Sequence, residues 1–137
     1  MVIYYLYKLE HFFYIVKLIS IAFLINLLMK IILSCDIPYQ LAIGKNTYFP
    51  HHALGVVIHK NVKIGNNCRI LQGTTIGAKS NSIKAPIIGN NVFVGANSTI
   101  IGPITIGDNA IIGAGSVVVH NVPNNEVWAG NPAKRIK

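Results

Sequence analysis

From Ile64 onward the chain counts in sixes: Ile64, Ile70, Ile76, Ser82, Ile88, Val94, Ile100, Ile106, Ile112 and Val118 stand at a fixed spacing, and nine of the ten are aliphatic. A period of six fits neither one face of an α-helix nor the two-residue alternation of a simple strand, so it calls for a short strand plus a turn, repeated and stacked. The chain is expected to form a solenoid. Glycine often follows the aliphatic residue, as in Ile64-Gly65, Ile76-Gly77, Ile88-Gly89, Val94-Gly95, Ile106-Gly107 and Ile112-Gly113. The residue four after it is mostly small or β-branched: Cys68, Thr74, Ser98, Ala110, Ser116, Val122. Both suit a tight corner, where glycine takes backbone angles that other residues resist and small side chains let turns stack closely. Three sixes make one triangular coil of a parallel β-helix, with the aliphatic column inside.

The repeat falters once. Ile43-Gly44 and Ile64-Gly65 are separated by 21 residues, three more than a multiple of six. The irregularity falls around Phe49-Pro50-His51-His52-Ala53-Leu54-Gly55, which holds two of the five histidines. Irregular backbone on a regular scaffold is where function is commonly built. Asp36, one of only four acidic residues, precedes this pair by 15 and 16 positions, close to one coil of 18. A carboxylate beside an imidazole fixes its tautomer and stabilises its protonated form, as a general base requires. By residue type alone, His51 and His52 would read as surface-turn histidines.

These features resemble the hexapeptide-repeat acyltransferases over roughly the last hundred residues. The resemblance implies a left-handed coil, against the general preference for right-handed crossovers. Asp36-Ile37-Pro38, Ile43-Gly44 and His52-Ala53-Leu54-Gly55-Val56-Val57 are similar to the matching stretch of serine O-acetyltransferases and of the serine-acetyltransferase-like enzymes of surface-polysaccharide pathways. It implies that His52 is the base, with His51 the alternative, and that Asp36 orients it. Ala129-Gly130-Asn131-Pro132-Ala133-Lys134 is similar to the family's closing element beside acetyl-CoA, which makes Lys134 and Arg135 candidates for the CoA phosphates; as bare sequence they are a solvated basic tail. Gly77, Ala78, Ala96 and Ala114 match positions along which such enzymes lay the pantetheine arm.

Two departures bear on the acceptor. The Arg-His that grips serine in those enzymes has no counterpart in the loop Ala78 to Ile87, where Lys84-Ala85-Pro86 stands, and Lys84 is the candidate there for substrate contact. The aspartate preceding the catalytic histidine is replaced by His51. The expected activity is therefore acetyl-CoA-dependent O-acetylation of serine or of a surface-polysaccharide sugar, by a homotrimer with sites between subunits and without a metal.

Size and charge narrow the rivals. A chain of 137 residues has no room for a separate catalytic domain, and three parts are expected: a helical segment over 1–35, the β-helix over 36–122 and a tail over 123–137. The net charge of +8 is spread along the chain, and the aromatics sit mainly in the first 49 residues, which disfavours nucleic acid while still drawing in a polyanionic cofactor. Cys35 and Cys68 form no CxxC and are read as packing residues of a cytoplasmic protein. A zinc enzyme of the carbonic-anhydrase type would need a ligand spacing that His51, His52, His59 and His120 do not offer. A non-enzymatic β-helix would need neither the Asp36/His52 pair nor the closing element.

In residues 1–35 Glu10 and Lys17 share one helical face, whereas Asn26, Lys30 and Ser34 form a stripe about half a turn away, so two helices with a break near Ser20 are expected. The longest uncharged stretch, Leu18 to Met29, has 12 residues, short of the ~20 that cross a bilayer. The segment reads first as a cap packed on the solenoid and on neighbouring subunits. Its second reading is an interfacial membrane helix, a peripheral contact through residues 1–34. No small-x-small cleavage site follows the apolar core, so a cleavable signal peptide is not expected.

Overall fold

The computed structural model describes residues 2–137. Two helices, α1 (Val2–Ile15) and α2 (Ile19–Leu33), precede thirteen short strands. In chain order the strands are β1 (Ala42–Ile43), β2 (Val57–Ile58), β3 (Lys63–Ile64), β4 (Arg69–Ile70), β5 (Thr75–Gly77), β6 (Ile87–Ile88), β7 (Phe93–Val94), β8 (Thr99–Ile101), β9 (Thr105–Ile106), β10 (Ile111–Ile112), β11 (Val117–Val118), β12 (Val127–Gly130) and β13 (Ala133–Arg135). They sort into three sheets: β1-β3-β6-β9, β2-β5-β8-β11 and β4-β7-β10-β12-β13. From β1 to β12, strands that follow one another in the chain enter different sheets and pair in parallel with strands of neighbouring coils, which is a three-sided parallel β-helix. The column predicted to fill it does so: Ile70, Ile76, Ile100, Ile106, Ile112 and Val118 are fully buried.

Two details depart from the simple count. Ile64 pairs with Ile88 and Ile76 with Ile100, 24 residues on, whereas Ile88 pairs with Ile106 and Ile100 with Val118, 18 on. One extra hexad has therefore been inserted between β5 and β6, and it forms a loop over residues 78–86 rather than a side of the prism. Ser82, the one polar member of the column, lies in that loop and bonds locally to Lys84. The period survives because the insertion is itself six residues long.

The second concerns the corners. Left-handed backbone falls on asparagines two places after the glycines, at Asn46, Asn67, Asn91, Asn97 and Asn109, all with φ between 55° and 59°. Asparagine tolerates this region because its short polar side chain bonds locally. The preceding glycines serve close approach instead: a Cβ on Gly65 would lie 2.4 Å from the Gly89 carbonyl oxygen, and one on Gly95 would lie 2.5 Å from Ala114 N. Glycine is thus needed there for stacking, and asparagine for the bend.

The helices form a hairpin that closes the first coil. The break falls at Val16 to Leu18, just before the expected position, with Lys17 at φ 63°. Ile3, Tyr7 and Glu10 on α1 and Ala22, Asn26 and Met29 on α2 are the buried stripes, each at the i, i+4, i+7 spacing of one helical face. Tyr7 Oη donates to the Leu41 carbonyl at 2.5 Å and Asn26 Nδ2 to the Ile37 carbonyl at 3.0 Å. At the other end, residues 123–137 are ordered onto the prism: β12 pairs in parallel with β10, and β13 folds back antiparallel on β12.

Candidate active site

Two segments on successive coils meet where the repeat breaks. After α2, Ser34 adopts left-handed backbone (φ 51°, ψ 40°) and turns the chain into the prism, so that Cys35 is buried and Asp36 forms a bridge with Val57. Gly55 N donates to the Ser34 carbonyl, and Asp36 N to the Val56 carbonyl, both at 2.8 Å. One residue separates Gly55 from the turn Pro50–Ala53, in which His51, His52 and Ala53 all have φ between 53° and 55°. Left-handed backbone costs a non-glycine residue about 1–2 kcal/mol. Three in succession, none of them glycine or asparagine, concentrate strain beside Asp36, as functional sites commonly do.

His51 and His52 are exposed, and among the described residues neither forms an ion pair with Asp36. The carboxylate instead has Lys30 Nζ 3.1 Å from its Oδ1, a charge contact whose angle does not make a hydrogen bond. Asp36 faces a cleft of about 550 Å³ that also takes Asn26 and Lys30 from α2, His59 and Lys60 after β2, Gly77 at the end of β5 and Ala78 after it. His59 is half-buried here, and its Nδ1 accepts from Asn61 N at 3.2 Å. Counting could have found it: Asp36 stacks on Val57 and Val57 on Thr75, which carries His59 to the coil just before Gly77.

Gly77 differs from the stacking glycines, since a Cβ there would meet nothing within 4 Å. The space beside it is open to the cleft. Ala96 and Ala114 lie farther along the prism, where the Ala96 carbonyl accepts from Gly115 N at 2.8 Å. Lys84 is not among the residues of the Asp36 cleft and borders a separate hollow of about 300 Å³ with Asn61, Lys63 and Pro103. Of the terminal cations, Arg135 Nε lies 3.3 Å from Glu126 Oε1, while Lys134 is exposed.

Burial pushes the Cys35 thiol up to about 11, with the charges of Glu10 and Asp36 adding to the effect, and burial also raises the Cys68 thiol. Neither is a thiolate near neutrality, so neither has a nucleophile's setting. Beneath the cleft, Glu10 is wholly buried with no hydrogen-bond partner on either oxygen. Burial pushes its carboxyl up to about 8; nearby Asn26 opposes this, although its Nδ2 is engaged by Ile37. Among the described residues, no three of His, Cys, Asp and Glu are grouped to hold a metal ion.

Residues 85–120 match the family described as bacterial transferase hexapeptide (six repeats). The chain is 32% identical over 132 residues to the serine acetyltransferase of Bacillus subtilis (strain 168), covering 95% of this chain and 60% of that one. It is 36% identical over 112 residues to WcaB of Escherichia coli (strain K12), named as a colanic acid biosynthesis acetyltransferase, covering 78% of this chain and 68% of that one. The crystal structure of serine acetyltransferase in complex with coenzyme A from Brucella abortus strain S19 superposes with a TM-score of 0.91 at 32% identity, over 96% of this chain and 53% of that one. The chain thus spans about half to two thirds of the length of these relatives.

Proposed function

The chain belongs to the hexapeptide-repeat acyltransferases, and from that premise we propose that it moves an acetyl group from acetyl-CoA to a hydroxyl of serine or of a surface-polysaccharide sugar. The coil is read as left-handed and the working unit as a homotrimer with the donor between protomers, as the family resemblance implies. Two unpaired cysteines suit a cytoplasmic location.

His52 takes the proton from the acceptor hydroxyl as its oxygen attacks the thioester carbonyl. The tetrahedral oxyanion faces backbone N–H groups near Gly77, collapse breaks the carbon–sulfur bond, and the imidazolium returns its proton to the departing CoA thiolate. Asp36 holds the ring in the required tautomer. Ala78, Ala96 and Ala114 border the pantetheine arm, and Lys134 meets the CoA phosphates, with Arg135 joining it if Glu126 releases it. His51 and Lys84 are assigned to the acceptor. Their presence where serine-specific enzymes carry other residues favours a sugar.

The observation that supports this most directly is the backbone register, which sets Ser34 to Asp36 against Gly55 to Val57 at the end of the strained histidine turn. His59 is the competing base, favoured by its place in the cleft with Asp36. Free-thiol release from acetyl-CoA, with sugars and serine as acceptors, tests both. His52→Ala is expected to lower turnover about 10²–10⁴-fold with CoA binding retained, and His59→Ala to lower it less. The reverse order would transfer the base to His59, and near-normal turnover in both variants would remove both as the base and leave His51, the alternative.

A further inference from the structure

The cap uses only one face of each helix. Among the described residues, 24 large apolar side chains are exposed, and counting them along the chain puts 16 between Val2 and Ile32. Ile31 and Ile32 are each 70% exposed, Ile15 64% and Phe23 58%. The hairpin tip is exposed without interruption from Tyr14 to Ile21, and only Lys17 and Ser20 there are polar. An apolar surface this continuous marks an interaction site.

Charge identifies the partner. Lys8, Lys17 and Lys30 are exposed on the hairpin, and its single acid, Glu10, is buried. The other three acids of the chain are engaged: Asp36 with Lys30, Asp108 with the Asn90 amides at 2.6 and 3.3 Å, and Glu126 with Arg135 and Trp128. Lys8 and Lys17 therefore find no free carboxylate on a second copy of this chain, and two such hairpins would meet with like charge. The helices, of 14 and 15 residues, rise about 21–23 Å at 1.5 Å per residue, short of the ~30 Å hydrocarbon core. Among the described residues no helix is long and apolar enough to cross a membrane.

We propose that the hairpin lies in the surface of an anionic bilayer, its apolar outer faces and tip entering the headgroup boundary and Lys8 and Lys17 meeting lipid phosphates. Because α2 also lends Phe23, Asn26 and Lys30 to the cleft, docking holds the cleft close to the headgroups. The proposal concerns binding alone and stands or fails independently of acetyl transfer.

Co-sedimentation of the full chain with vesicles of phosphatidylcholine, alone or with about one third phosphatidylglycerol, tests it. Binding is expected to favour the anionic vesicles and to weaken as salt rises. Lys8→Gln with Lys17→Gln should weaken it about fivefold per lysine at low salt. Ile15→Ser with Ile19→Ser, both at exposed positions, should abolish binding while circular dichroism and CoA affinity remain unchanged. A chain that stays in the supernatant with both vesicle types overturns the proposal, as does equal binding to both that ignores the lysine change. An oligomer that light scattering shows dissociating on Ile15→Ser with Ile19→Ser, in a chain that ignores vesicles, would assign the surface to other copies of the protein.

Discussion

The coils from Ile64 to Val118 and the region from Val2 to Ala53 are both rich in apolar residues, yet they use them in opposite ways. In the coils the aliphatic column spaced by six lies inside the prism, and neighbouring strands repeat at 18 residues or at 18 plus one inserted hexad. In the first region apolar residues surround both helices, one stripe of each is buried, and the first coil holds three extra residues that become a left-handed turn with two histidines. Regular stacking consumes its side chains in stability. The irregular end leaves the His51 and His52 rings exposed on a strained turn, where chemistry can be built.

The largest expected contrast is in rate. Asp36→Asn should lower turnover strongly, though by less than His52→Ala, if the carboxylate orients the base, with little change in melting temperature, since Asp36 is bound into the first coil through its backbone. His120→Ala, at the exposed end of the regular coils, should leave turnover unchanged. A large loss at His120, or none at Asp36, would break the division between the two regions. Steady-state thiol release measures both.

The reverse contrast is in stability. Ile88 is 2% exposed inside the prism, and Ile88→Ala should destabilise by about 2–5 kcal/mol through lost burial and the cavity left behind. Chemical unfolding followed by circular dichroism checks this. Turnover at a temperature where the variant is still folded should stay near normal, because the change lies away from the cleft.

How far the sequence discloses each region follows from the same difference. The period of six, its aliphatic column and the extra three residues before Ile64 are visible because a stacked coil imposes its register on every residue. The inserted hexad between β5 and β6 is hidden by that rule, since six extra residues leave the count undisturbed and only Ser82 betrays them. The His51-His52 turn is legible as a fault, and Asp36 as a scarce acid one coil earlier. Lys30 beside Asp36 is not, because that contact depends on how a helix hairpin sits on the first coil, which no repeat specifies. Nor is the burial of Glu10, which shares a helical face with Lys17 in sequence but faces the core in the fold.

Glu10 sharpens the comparison by pH. Its folded-state value of about 8 lies above the 4.5 of an unhindered carboxyl, so between those limits the folded chain retains a proton that the unfolded chain has lost. Stability is therefore undiminished by this group below about pH 4.5, falls as pH rises through the window, and levels off above about 8. Glu10→Gln should remove that decline: the variant should melt close to the parent at the acid end and well above it at the alkaline end, by on the order of a few kcal/mol. A difference independent of pH would mean that Glu10 is ionised in the fold and has found a partner.

The smallest effect should come from the corners. Asn91 has φ 56°, and its Nδ2 donates to Asn109 Oδ1 at 3.1 Å while its Oδ1 accepts from Asn67 Nδ2 at 3.2 Å. Asn91→Ala removes both bonds and leaves a Cβ residue in left-handed backbone, whereas Asn91→Gly removes the bonds but relieves the backbone. If conformation dominates, the alanine variant should be less stable than the glycine variant by about 1 kcal/mol. If the exposed ladder of amides dominates, the two should fall together, each by about 1 kcal/mol for the bonds lost. The ladder is solvent-exposed, where water replaces a lost partner, so the first outcome is expected; thermal melting of the two variants decides it. The same pair of substitutions at His51 would then measure whether the strained turn obeys the corner rule or is held by contacts that the regular coils do not make.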